Sequence, residues 1–197
     1  MNTEKVIENL RARGIEAEYY ESPQQALDAL CAEICGKRVV MGGSVTLRDM
    51  GVFEALKEHN DVYWHWVERS PEQRQIECRA QVYMASANAL AETGEIVNID
   101  GTGNRVSGTM YGVECVYYVV GVNKITPDLP SAIERARHTA APLNAKRLGL
   151  STPCTVDGKC HDCRSGQRIC NVLSVTMGKP GGVGRCKVLL VGQPLGY

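Results

Sequence analysis

Cys115-Val116-Tyr117-Tyr118-Val119-Val120-Gly121-Val122 is an unbroken apolar run of strand-forming residues. A strand with one wet face alternates apolar and polar side chains. A run that is apolar at both parities is buried on both faces, which is the habit of parallel sheets covered by other layers. The segments on either side agree with that reading. Arg38 to Met41 is a second buried strand, and it is followed by Gly42-Gly43-Ser44 and a helix through Leu47, Met50, Phe53 and Leu56. Ser22-Pro23-Gln24-Gln25 opens an earlier helix with an N-cap, a proline at the first helical position and a capping-box glutamine. Val6, Ile7 and Leu10 mark the face of a helix over residues 3–13, and Pro130 to Leu148 reads as helical with a break at Pro142. Ile15–Tyr20, Asp61–Val67, Gln81–Ala85 and Glu95–Ile99 are further strands. Val172–Met177 and Cys186–Val191 close the chain as an antiparallel hairpin around the glycine-rich 178–184 turn. The expected fold is therefore α/β: a mostly parallel sheet with helices on both faces, in one domain over residues 1–197. Residues 150–197 are expected to form an appendage of cysteine loop and terminal hairpin.

A chain of 197 residues suffices for one buried core. Its formal net charge is zero, so nothing in its bulk electrostatics draws it to nucleic acid or anionic lipid. No run approaches the roughly 20 apolar residues of a membrane span. The first residues, Met1-Asn2-Thr3-Glu4-Lys5-Val6, begin a helix and lack the apolar core of a secretory signal, so a cytoplasmic location is expected.

Nine cysteines are many for a chain of this kind, and their placement separates them into two groups. Cys31, Cys35, Cys78, Cys115 and Cys186 are scattered through element-like stretches and read as small buried hydrophobes. The other four, Cys154, Cys160, Cys163 and Cys170, fall in a polar, glycine-containing loop. Lys159, Arg164 and Arg168 nearby favour thiolates and offset their charge. The loop reads as a metal site, either a [4Fe–4S] cluster or a zinc held by all four cysteines. A single C-x2-C knuckle is less than the pair usual in zinc ribbons. His161 is an alternative ligand within the loop.

Two other polar segments carry chemistry. Gly42, Gly43, Ser44 and Thr46 lie between a buried strand and a helix, where N–H groups and hydroxyls suit an anion; the same residues also serve as a turn and a cap. Glu92 and Glu95 lie at the start of one predicted strand, and Asp100, Asn104 and Arg105 lie just past its other end. A buried Glu92, Glu95 or Asp100 is a candidate general base, and Arg105, with Asn104 beside it, is a candidate clamp for a carboxylate or phosphate.

The stretches 42–51, 86–94, 98–106 and 140–149 together resemble the LUD-domain, or lactate-utilisation, family, as do the cysteine loop ending Arg168-Ile169-Cys170-Asn171 and the closing Gly192-Gln193-Pro194-Leu195-Gly196-Tyr197. The resemblance implies a fold like that of ribose-5-phosphate isomerase, glucosamine-6-phosphate deaminase and CoA-transferases. It also implies a connection with lactate oxidation beside an iron–sulfur or flavin oxidoreductase partner. The expected ligand is a small anionic metabolite, and a homo-oligomer is compatible with the sequence. An enzyme of redox hydroxy-acid metabolism, an electron-transfer accessory, and a non-redox isomerase, transferase or hydrolase with a structural zinc all remain open.

Overall fold

The computed structural model describes residues 2–68 and 70–197; Met1, in the helix-start stretch read above, lies outside them. The elements run α1 (Thr3–Ala12), β1 (Glu16–Tyr20), α2 (Pro23–Glu33), β2 (Arg38–Met41), α3 (Val45–Asp49), α4 (Val52–Lys57), β3 (Asp61–Trp64), α5 (Gln73–Glu77), β4 (Val82–Ala85), β5 (Ala89–Ala91) and β6 (Ile96–Asp100). They continue α6 (Asn104–Met110), β7 (Cys115–Gly121), β8 (Ile125–Thr126), α7 (Leu129–Arg135), α8 (Ala141–Arg147), α9 (Cys154–Asp157), β9 (Val172–Thr176) and β10 (Arg185–Val191).

The apolar run 115–121 forms β7, which lies inside a six-stranded sheet of order β1-β10-β7-β4-β2-β3. Every pairing in this sheet is parallel. All seven residues of β7 are buried, and their parity sorts them between two cores. Cys115, Tyr117 and Val119 pack with Leu30 of α2, Leu47 of α3 and Phe53 of α4. Val116, Tyr118 and Val120 pack with Val6 and Leu10 of α1 and with Leu90 and Ile96. Leu90 and Ile96 belong to a second sheet of four strands, ordered β8-β5-β6-β9. Its other face packs Ala89, Ala91 and Val97 against Ala132, Ala136 and Ala141 of the α7–α8 rod. Small residues on both sides let this rod approach closely.

Three local outcomes differ from the sequence reading. The helix expected through Leu56 is two helices, because Gly51 adopts φ 68° between them. The expected break at Pro142 is absorbed without a turn: residues 136–140 widen into a π segment, where the Ala141 N–H bonds the Ala136 carbonyl. That widening accommodates a residue with no N–H of its own to give. The last two strands both form, but not as a hairpin. β9 pairs antiparallel with β6 in the small sheet, whereas β10 lies between β1 and β7 in the large one. Residues 185–191 are thus central to the main sheet and not part of an appendage.

The scattered cysteines are also corrected in part. Cys115 and Cys186 are buried and Cys31 is half-buried, but Cys35 and Cys78 are exposed.

Candidate functional site

Beyond the carboxyl ends of β2, β3, β4 and β7 lies a cavity of about 230 Å3. It is lined by Gly43–Thr46 after β2, Trp66 after β3, Ser86–Asn88 after β4 and Lys124 after β7. Residues 99–105 close one side, while Asn144, Arg147 and Tyr197 line another. Ligand sites in open α/β sheets gather at this end of the strands. Four basic side chains (His65, Arg105, Lys124 and Arg147) line the cavity, and Asp100 is its one side-chain carboxylate among the described residues.

Lys124 ends a single 3-10 turn after β7 and is only 3 % exposed. Its Nζ lies 3.0 Å from Thr46 Oγ1 and 3.0 Å from Ser86 Oγ. No carboxylate pairs with it among the described residues. Burial, with the Arg135 and Arg105 charges nearby, pushes its pKa from the ordinary 10.5 down to about 7. The two hydroxyls are themselves oriented. Ser86 donates to the Val119 carbonyl at 2.6 Å, and Thr46 donates to that of Leu195 at 3.3 Å. The closing segment is held over this floor by Asn123, which accepts from the Leu195 N–H at 3.0 Å and donates to the Gly196 carbonyl at 3.3 Å.

Arg147 lies over the Trp66 ring at 4.7 Å and donates to Asn144 and to the Tyr197 hydroxyl, the latter at 2.8 Å. It has no carboxylate partner among the described residues. Arg105 is more committed: its Nη2 donates to the Ile99 carbonyl, and its Nε is 3.4 Å from Asp100.

The structure brings some of the sequence candidates together and separates others. Gly43, Ser44, Thr46, Asp100, Asn104 and Arg105 all line the cavity. Gly42 and Gly43 are there for close approach. A Cβ on Gly42 would lie 2.7 Å from Arg105 Cγ, and one on Gly43 would lie 2.9 Å from the Trp66 indole nitrogen. Ser44 caps α3 by accepting the Leu47 N–H at 3.2 Å. Asp100 accepts N–H bonds from Thr102, Gly103 and Arg105, each at 3.1 Å, so its carboxylate is occupied in holding the turn that presents Arg105. Asn104 accepts from the Thr102 hydroxyl at 2.8 Å within the same turn. Glu92 and Glu95 do not line this cavity. They lie at the opposite end of β6, where Glu92 pairs with Lys5 at 2.8 Å and Glu95 with Arg13 at 2.5 Å, fastening α1 to the small sheet. Lys124, Arg147, Ser86 and Trp66 were given no role by the sequence. The available signal was Lys124 itself, a lysine immediately beyond the carboxyl end of the most buried strand.

The cysteine loop adjoins this cavity. Ile169 lines it, and the Asn171 N–H and side chain bond the carbonyls of Asp100 and Gly101, both at 2.9 Å. Arg168 organises the loop from within, donating to the carbonyls of Cys163 at 2.6 Å and Cys170 at 3.0 Å. His161 is turned to Asp157 at 2.9 Å. Burial raises the pKa of the Cys170 thiol, and Cys160, Cys154 and Cys163 raise it further against the opposing pull of Arg168. Among the described residues, no three His, Cys, Asp or Glu side chains are grouped so as to hold a single metal ion. No helix among them is long and apolar enough to cross a membrane.

No curated protein matches the chain. Among solved structures, a DUF162-family protein from Deinococcus radiodurans superposes with a TM-score of 0.56 at 15 % identity, over 98 % of this chain and 99 % of that one. At that identity the likeness speaks for the fold alone. The family model of the LUD domain matches residues 3–191, nearly the whole chain. The chain belongs to the LUD-domain family.

Proposed function

We propose that this LUD-domain protein takes part in the redox metabolism of a small hydroxy- or keto acid such as lactate, with the acid bound in the cavity and a [4Fe–4S] cluster on Cys154, Cys160, Cys163 and Cys170. The observation that carries the reading is the shared wall: the cysteine loop supplies Ile169 to a cavity rich in cationic side chains. Four thiols on one loop, with Arg168 beside them, are the donor chemistry such a cluster needs. When bound, it would supply one-electron transfer.

The protein's own residues bind and orient the acid. Arg147, stacked on Trp66 and lacking an acidic partner among the described residues, receives the carboxylate. Arg105 adds its charge from a fixed position. A volume of about 230 Å3 suits such an acid better than a CoA ester, since larger ligands occupy roughly 300–1,000 Å3. The size weighs only against a CoA ester, and the position of Glu92 and Glu95 away from the cavity weighs against them as acid–base residues of a non-redox isomerase, transferase or hydrolase with a structural zinc.

The test is a calorimetric titration of pyruvate and of lactate into protein purified without oxygen. At least one acid is expected to bind, and Arg147→Ala is expected to weaken it roughly tenfold through loss of a charge-assisted contact. If Arg147→Ala and Arg105→Ala both bind as tightly as the parent, the carboxylate assignment is wrong.

A further inference from the structure

Lys124 is placed to do more than balance charge. A protonated lysine has three N–H donors and no lone pair, whereas a neutral amine has two donors and one lone pair. Two hydroxyl oxygens, Thr46 Oγ1 and Ser86 Oγ, take two N–H bonds from Nζ. Both hydroxyls spend their own protons on backbone carbonyls, so each can only accept from the amine. The nitrogen's remaining position is uncommitted, and the residue lines the cavity.

We propose that Lys124 is a nucleophilic amine that condenses with the carbonyl group of a small 2-oxo acid to form an imine. This deepens the reading of the cavity as a carboxylic-acid site and rests on it. The step balances without an oxidant or reductant: Nζ bonds to the carbonyl carbon, C=O becomes C=N, and the carbonyl oxygen leaves as water with the two amine hydrogens. Arg147 provides a carboxylate partner within the same cavity, so one acid can be held by its charge while its carbonyl meets the amine. The surroundings favour the neutral form. The charged and titratable groups lining or near the cavity are Arg105 on α6, Arg135 on α7, Arg147 on α8, Asp100 on β6 and His65 just after β3, whereas the segment after β4 and α3 bring the Ser86 and Thr46 hydroxyls to the amine. Asp100 is spent on its own turn and on Arg105.

The experiment incubates the full chain with pyruvate and cyanoborohydride near neutral pH and maps the modified lysines by mass spectrometry. Acetone serves as a carbonyl probe without a carboxylate, and pyruvate binding is measured in parallel. The expected result is one carboxyethyl group on Lys124, formed roughly tenfold or more faster than on exposed lysines such as Lys57 or Lys146, which lie outside the cavity and its carboxylate-holding arginine. Lys124→Met is expected to remove it. Pyruvate that binds without modifying Lys124 overturns the imine and leaves the acid site standing. Equal modification of Lys124 by acetone and pyruvate upholds the nucleophile and removes the carboxylate reading. Neither binding nor modification overturns both.

Discussion

Two lysines, Lys124 and Lys187, are almost equally buried, at 3 % and 4 % exposure, yet their surroundings treat charge in opposite ways. Lys187, on β10, faces α2 and β1, with its Nζ 3.0 Å from both Glu33 and Glu18. Burial works against its charge, but hydrogen bonds and charges from the two carboxylates outweigh that, and its pKa ends above the ordinary value. Lys124, beyond the carboxyl end of β7, meets hydroxyls and arginines, and its pKa falls to about 7. Burial alone does not decide protonation; the chemistry of the partners does. A structural ion pair results in one place and a reactive amine facing a cavity in the other.

The largest expected contrast is in reactivity. Trace acetylation at pH 7 should label Lys124 roughly a hundredfold faster than Lys187, since the neutral fractions differ by at least that much. Equal labelling would erase the distinction. Stability should separate the two next. Lys124 has a folded pKa below its unfolded 10.5, so the unfolded chain holds the extra proton from about pH 7 to 10.5. Stability therefore rises with pH across that window, and the burial penalty is complete below it. Lys124→Met should stabilise the protein by about 2 kcal/mol at pH 6 in denaturant titrations, with the gain fading towards pH 10. For Lys187 the sign is reversed. Its raised pKa makes a contribution that is present below the unfolded value and is lost only as pH climbs through the folded one. Lys187→Met should lower stability by about 1–2 kcal/mol, less than for a fully buried pair because Glu18 and Glu33 stay partly in water. The smallest expected effect is that of Glu92→Gln. Acid binding in the cavity should remain within about twofold, below the tenfold that 1.4 kcal/mol represents. A larger loss would mean that the far end of β6 is coupled to the site.

The large sheet was legible because Cys115–Gly121 and Val39–Met41 are apolar at both parities, a pattern that burial on two faces explains. Helix starts were legible where side-chain chemistry marks them. Ser22 accepts from the Gln25 N–H at 3.3 Å, although the glutamine reaches back to Glu21 and not to Ser22 itself. β5 and β8, with three and two residues, are too short to show a period. The partners of β9 and β10 could not be read because an apolar strand does not state which sheet it joins, and adjacency in sequence wrongly favoured a hairpin. The site was legible in half. Asp100 to Arg105 and the Gly42–Thr46 loop stood out by residue type and do line the cavity. Glu92 and Glu95 stood out equally but lie at the other end of β6, away from this cavity. Lys124 was given no role because its meaning comes from Thr46 and Ser86, 78 and 38 positions away in sequence.

The central claim is a redox centre beside an acid-binding cavity, and the most direct test is the iron and acid-labile sulfide content of protein purified without oxygen, with a Cys160→Ser/Cys163→Ser variant alongside. The account predicts about four iron and four sulfide per chain, lost in the variant. About one zinc per chain and no sulfide would contradict it, leaving the loop as a structural clasp and the cavity as a non-redox site.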